Sequence, residues 1–184
     1  MRKYYLKTFG CQINESDSQR IASFLEKRGY DSIKGADSSD EALAKADLIV
    51  VNACSVRQTA IDRIWGLLNK IKKLKVKNPN LKIIITGCLL ETDKKKFKGF
   101  LALHRTCSGA GFNEVMDIQK FLGKNYLHLK PKCPQNKSAY LPIMTGCDNF
   151  CSYCVVPYTR GKEISRPLKE VIKEFGELLK NGHT

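Results

Sequence analysis

The chain has 184 residues, 42% of them hydrophobic and 27% charged, enough apolar material to bury a core, which excludes wholesale disorder. Lys and Arg number 32 against 18 Asp and Glu, a formal charge of +14, and a globular chain this basic points to a polyanionic partner such as RNA. No apolar run approaches the ~18 residues of a membrane span, and the start at Met1 lacks the ~7–15-residue apolar stretch of a signal peptide; a cytoplasmic protein with no membrane association is expected, where structural disulfides are disfavoured.

Three short apolar runs come first. Lys3–Phe9 is rich in aromatic and β-type residues and ends at Gly10-Cys11. Asp47–Val51 ends at Asn52-Ala53-Cys54, and Leu81–Thr86 ends at Gly87-Cys88. Such runs, bounded by Gly or Asn, read as buried strands of a parallel sheet. Between them, Ser16–Lys27 carries Ile21, Phe24 and Leu25 on one helical face and stops at Gly29. Ser55–Leu74 carries Ile61, Ile64, Leu67, Leu68 and Ile71 at helical spacing. The alternation predicts an α/β fold with a parallel sheet. Ligands of such sheets bind outside the carboxyl ends of the strands, so Cys11, Cys54 and Cys88 are expected to converge there. One strand-end cysteine is a common small hydrophobe; three at equivalent ends favour a shared metal or cluster site.

Basic runs at Lys70–Lys77, Lys94–Lys98 and Lys130–Lys137 each read as solvated surface, although the summed charge favours RNA contact. Cys107 and Cys133 read as non-ligands, Trp65 as core, and His104, His128 and His183 as structural or surface residues. Glu15 and Asp17 suit the positive end of the first helix. Residues 1–122 are expected to form the amino-terminal α/β domain. Residues 123–137, with Pro131 and Pro134, read as a connection. Residues 138–184 open a second unit: a strand over Ser138–Met144, a cysteine loop, and a helix over Pro167–Lys180. The apolar face of that helix (Val171, Ile172, Phe175, Leu179) is expected to be poorly covered.

The loop is Cys147-x3-Cys151-x2-Cys154. Three thiolates this close can wrap one face of a cubic iron–sulfur cluster. A structural zinc site wants four protein ligands, and Cys133 could supply the fourth. A non-catalytic, metal-stabilised RNA-binding module therefore stays open. An electron-transfer protein would want four thiolates per cluster, and two groups of three argue against it.

With Tyr153 just before its third cysteine, the loop resembles the cluster loop of radical S-adenosylmethionine (SAM) enzymes. The wider segment Thr145–Pro167, together with Lys7-Thr8-Phe9-Gly10-Cys11-Gln12-Ile13-Asn14, Val51-Asn52-Ala53-Cys54-Ser55-Val56-Arg57 and Thr86-Gly87-Cys88-Leu89, is similar over nearly the whole chain to the radical SAM methylthiotransferases. The likeness is greatest to the branch that modifies N6-isopentenyladenosine in tRNA. The resemblance implies two [4Fe–4S] clusters. Cys147, Cys151 and Cys154 would hold the one whose open iron binds SAM, with Tyr153 beside it. Cys11, Cys54 and Cys88 would hold an auxiliary cluster that carries sulfur. It further implies cleavage of SAM to a 5′-deoxyadenosyl radical, hydrogen abstraction, and addition of a methylthio group to C2 of the adenosine next to the anticodon. Sibling substrates, threonylcarbamoyladenosine in tRNA or a ribosomal-protein aspartate, stay open.

Implied partners are tRNA and an electron donor such as flavodoxin or ferredoxin, and a monomer is expected. Tyr158, Arg160 and Arg166 flank the loop and are expected to contact a splayed-out base; no acid–base catalyst stands out. The second unit should be the first βα unit of a partial β/α barrel. The chain ends at Thr184, where the next strand should begin, and so reads as an amino-terminal fragment in which SAM would lack most of its pocket.

Overall fold

A computed structural model describes residues 2–33, 43–78, 80–103, 113–133 and 138–183. His104, Cys107 and Pro134 lie outside the described residues. The elements of the sheet unit run β1 (Arg2–Phe9), α1 (Gln12–Glu26), β2 (Tyr30–Ser32), β3 (Leu48–Cys54), α2 (Gln58–Lys77), β4 (Lys82–Cys88), α3 (Glu91–Leu103), β5 (Asn113–Val115) and α4 (Ile118–Leu122). All five strands are parallel, in the order β2-β1-β3-β4-β5. Every residue of the central strand β3 is buried, which is why Leu48–Val51 is a continuous apolar run rather than an alternating one.

Helices cover both faces. On one, Ile61, Ile64, Leu68 and Ile71 of α2 pack with Phe97 and Leu101 of α3 against Ile49, Val51, Ile83 and Ile85. On the other, Ile21 and Leu25 of α1 pack with Ile118 and Leu122 of α4 against Tyr4, Leu48 and Val50. Burying one such side chain stabilises by about 1.5–3 kcal/mol. Trp65 is partly buried and packs on this core, its ring 4.9 Å from that of Phe97. Consecutive helices switch faces between β1 and β3, the place where an open parallel sheet leaves a ligand crevice.

The remaining elements are a 3-10 turn at Tyr126–His128, β6 (Met144–Thr145), α5 (Val156–Arg160), β7 (Ile164–Ser165) and α6 (Leu168–Lys180). Here the structure departs from the sequence reading in two places. Tyr126 and Leu127, assigned to a connection, are buried in the α1 core, because their apolar side chains fill the space between α1 and α4. The strand read over Ser138–Met144 shrinks to Met144–Thr145, which pairs antiparallel with β7. The described residues form this two-stranded ribbon followed by α6 and do not form a parallel barrel. Among the described residues β6 pairs with no strand but β7, and two strands alone cannot make a sheet of useful extent.

α6 docks on the sheet unit through charge. Glu174 bonds Arg20 of α1 at 2.7 Å and Arg166 at 2.5 Å, and both guanidinium groups are buried. His128 pairs with Glu170, and Lys130 with Glu177 at 3.0 Å. Leu178 is buried; of the face read as uncovered, Ile172, Phe175 and Leu179 are exposed, with Leu168 beside them, while Val171 is half-buried. No helix among the described residues is long and apolar enough to cross a membrane.

Candidate functional site

The register of the sheet brings the first cysteine group together. Phe9 pairs with Ala53, and Ala53 with Gly87, so the carboxyl ends of β1, β3 and β4 are level. Cys54 and Cys88 are direct neighbours in the next row. Cys11 lies two residues beyond β1 and is the N-cap of α1, which places its sulfur at the positive end of the helix dipole. The helix begins at Gln12, earlier than the Ser16 expected from apolar spacing, because its first turn is polar and faces this edge.

Asn14, in that first turn, is the hub. It is fully buried. Its Oδ1 accepts from the Cys11 amide at 3.3 Å and from Cys11 Sγ at 3.4 Å. Its Nδ2 donates to Asn52 Oδ1 at 3.0 Å and to the Ala53 carbonyl at 3.1 Å, and lies 4.0 Å from Cys88 Sγ. Asn52 in turn donates to the Asn14 carbonyl at 2.7 Å and to Ser18 Oγ at 2.9 Å. Gly10 and Gly87, which precede two cysteines of this group, make room for this. A Cβ on Gly10 would sit 2.3 Å from Asn14 Oδ1. A Cβ on Gly87, at φ +114°, would sit 2.3 Å from the Ala53 carbonyl oxygen.

The second group lies on the ribbon. Cys147 and Cys154 are half-buried and Cys151 is exposed. The loop is closed by Cys147 N–H donating to the Gly161 carbonyl at 3.2 Å and Cys154 N–H to the Cys151 carbonyl at 2.9 Å. Gly146 (φ +77°) is required because a Cβ there would meet the Lys162 carbonyl oxygen at 2.0 Å. Phe150 adopts φ 47°, a left-handed conformation uncommon for a non-glycine residue. Around the loop, Phe150, Tyr158 and Tyr153 are exposed, Tyr153 to 88%. Phe150 and Tyr158 meet edge to face at 6.0 Å.

Arg160, at the end of α5, points the other way. It reaches into the strand edge, where Nε donates to Cys88 Sγ at 2.8 Å, Nη1 to Tyr126 Oη at 3.1 Å and Nη2 to Asp17 Oδ2 at 2.7 Å. Arg166 is likewise committed, to Glu174 and to the Pro142 carbonyl at 2.8 Å. The sequence places both arginines beside a substrate base. In the structure each pairs with a carboxylate, Arg160 with the buried Asp17 and Arg166 with the half-buried Glu174, because a guanidinium packed inside needs a paired charge. Burial pushes the Cys88 thiol up to about 12, with the Arg160 charge opposing that rise. Burial also raises the Asp17 carboxyl, again against Arg160. Burial works against the charge on Arg160, but Asp17 leads the groups that hold it above the ordinary arginine range.

Sequence reasoning missed Asn14, Asn52 and Tyr126, and read Asp17 as a first-turn acid near Cys11 rather than as the partner of Arg160. Asn52 alone left a signal: it is a polar residue at the end of an otherwise apolar strand, and buried amides need partners. Cys133 stands apart, with its Sγ 3.6 Å from Gln19 Oε1. Lys94 is buried between Glu91 and Asp117, and Lys132 pairs with Glu26, so these lysines of the basic runs are already neutralised.

Among the described residues no group of three His, Cys, Asp or Glu side chains is placed to hold a metal ion. The donor chemistry present, three thiols at the sheet edge and three on the loop, is the ligand type of iron–sulfur centres.

The family model described as uncharacterized protein family UPF0004 matches residues 3–105, the segment that carries Cys11, Cys54 and Cys88. The chain belongs to this family. It is 38% identical over 197 residues to the tRNA-2-methylthio-N(6)-dimethylallyladenosine synthase of Dictyoglomus thermophilum, covering 99% of this chain and 43% of that protein. Proteins of the same name from Clostridium tetani and Shewanella woodyi are 34% and 37% identical, covering 98% of this chain and 42% and 40% of theirs. The chain thus spans about two-fifths of the length of these relatives.

Proposed function

We propose that these residues form the cluster-binding part of a radical SAM tRNA methylthiotransferase that modifies C2 of N6-isopentenyladenosine beside the anticodon. The observation that carries this reading is the pair of three-thiol groups, each without a fourth thiol among the described residues, linked through Arg160. Relatives that match nearly the whole chain are named for this modification. Cys11, Cys54 and Cys88 would hold one [4Fe–4S] cluster and Cys147, Cys151 and Cys154 the other. When bound, the clusters would supply one-electron reduction and an open iron each, one to SAM and one to sulfur.

The chain's own residues have three tasks in this scheme. Asn14 holds the Cys11 and Cys88 sulfurs at the strand edge, and Asn52 and Gly87 set its place there. The Gly146 turn and the strained backbone at Phe150 shape the exposed loop so that Cys151 faces outward. Phe150, Tyr153 and Tyr158 present aromatic faces beside that loop, suited to stacking an adenine or a splayed base. The remaining positive charge would attract tRNA phosphates, with affinity falling as salt rises. The SAM-binding remainder of a partial β/α barrel, a reductant such as flavodoxin or ferredoxin and a cytoplasmic setting complete the proposal.

The test is iron, acid-labile sulfide and zinc per chain after anaerobic reconstitution. The wild type is compared with a variant carrying Cys147→Ala, Cys151→Ala and Cys154→Ala. The expected result is iron and sulfide in a two-cluster amount, about half of it kept in the variant. Stoichiometric zinc without sulfide would overturn the reading and favour a metal-stabilised RNA-binding module.

A further inference from the structure

We propose that Arg160 is a positioning residue that joins the two cysteine groups into one unit, holding Cys88 through its Nε–H while rooted in the helix that follows the Cys147–Cys154 loop. This rests on the cluster reading above.

All three directions of the guanidinium are used, each toward a different element. Nε reaches Cys88 at the end of β4, Nη1 reaches Tyr126 in the 3-10 turn, and Nη2 reaches Asp17 on α1. The planar fork fixes the angles between these three bonds, so the place of α5 on the sheet edge is set once they form. The backbone of the same stretch is gripped too. Gln119 Nε2 donates to the Arg160 carbonyl at 3.3 Å, and the adjacent Gly161 carbonyl accepts from Cys147 N–H at 3.2 Å. A displacement of the loop therefore reaches Cys88 within a few bonds, and a displacement of Cys88 reaches the loop.

A docking salt bridge would need only Arg160 and Asp17. The third bond, to the sulfur of a ligand, adds a different consequence. Hydrogen bonds to ligand sulfurs and nearby charge are among the determinants of a cluster's reduction potential. A cation held 2.8 Å from Cys88 Sγ favours the more negative, reduced state, so Arg160 raises the potential of the strand-edge cluster. Lysine would keep the charge but could not make three bonds at fixed angles.

The test uses the reconstituted full chain carrying Cys147→Ala, Cys151→Ala and Cys154→Ala, which leaves the strand-edge group alone. In that background Arg160→Gln should lower the midpoint potential of the remaining cluster and Arg160→Lys should lower it less, with iron and sulfide per chain preserved. An unchanged potential in Arg160→Gln at preserved iron content overturns the inference. A second measurement needs neither a cluster nor a destabilised variant at Arg160. In the metal-free wild type the Arg160 Nε–H resonance should be slow to exchange with water. Cys88→Ala should shift it and speed its exchange, while Cys54→Ala should not. A resonance indifferent to Cys88→Ala overturns the hold on Cys88. A chain that takes zinc and no sulfide defeats the cluster reading, and there the Nε–H measurement decides the role of Arg160 separately.

Discussion

Replacing Asn14 by Asp probes the strand-edge network with almost no change of shape. The carboxamide Nδ2 donates to two acceptors, Asn52 Oδ1 at 3.0 Å and the Ala53 carbonyl at 3.1 Å, in a fully buried position. Asn14→Asp puts an oxygen where that donor stood. Leaving two buried acceptors unmatched costs about 1–3 kcal/mol each, or about 4 kcal/mol together. A native domain of this size holds about 5–15 kcal/mol, so the loss is a large share. With a urea m-value of about 2 kcal/mol/M, the midpoint should fall by about 2 M. The introduced carboxyl can recover one bond by protonating, so its folded-state pKa rises above the ordinary ~3.9. The native state then binds more protons than the unfolded state, and stability falls as pH rises through that range. Urea unfolding of the metal-free chain should show a wider gap to wild type at about pH 8 than at about pH 5. A midpoint change under about 0.3 M, or a gap wider at the lower pH, would refute the network as described.

Two further outcomes follow from the same edge. Gly87→Ala forces a Cβ to within 2.3 Å of the Ala53 carbonyl oxygen at φ +114° and should cost about 2–4 kcal/mol; Gly66→Ala, with nothing within 4 Å, should instead stabilise by about 0.4–1 kcal/mol, and the two urea midpoints should move in opposite directions. Burial, with the Asp17 charge adding to it, pushes the Tyr126 phenol up to about 12. Its neutral form is therefore favoured in the fold, so this contribution is intact below pH ~10 and is lost as pH rises toward ~12, about 3 kcal/mol in all. Tyr126→Phe should flatten the alkaline fall of the urea midpoint, and an identical fall in that variant would remove Tyr126 as its source.

Local signals were enough for the sheet. β1, β3 and β4 are short, apolar and rich in β-branched or aromatic residues, and each ends at Gly or Asn, so their place and direction could be read from the chain. β2 and β5, three residues each, escaped because strands this short have no periodicity to detect. The helix at Pro167–Lys180 was legible for the same reason as the long strands: its apolar residues recur at helical spacing. The strand at Ser138–Met144 was over-read because β-propensity reports a side chain that suits a pleated surface, and most of this segment has no strand beside it.

The sequence by itself determined the family, the parallel α/β class and the level of the three strand-end cysteines, because these depend on residue types at short range and on the rule that parallel strands share one carboxyl edge. Tertiary structure alone decided which polar groups serve that edge. Asp17 reads as an ordinary first-turn acid and Arg160 as a surface base beside a loop. They lie 143 residues apart, and only the packing of α5 against α1 and β4 makes them a buried pair with Cys88 between the two cysteine groups. A buried charge needs a partner in space, and no local pattern encodes which residue that partner is.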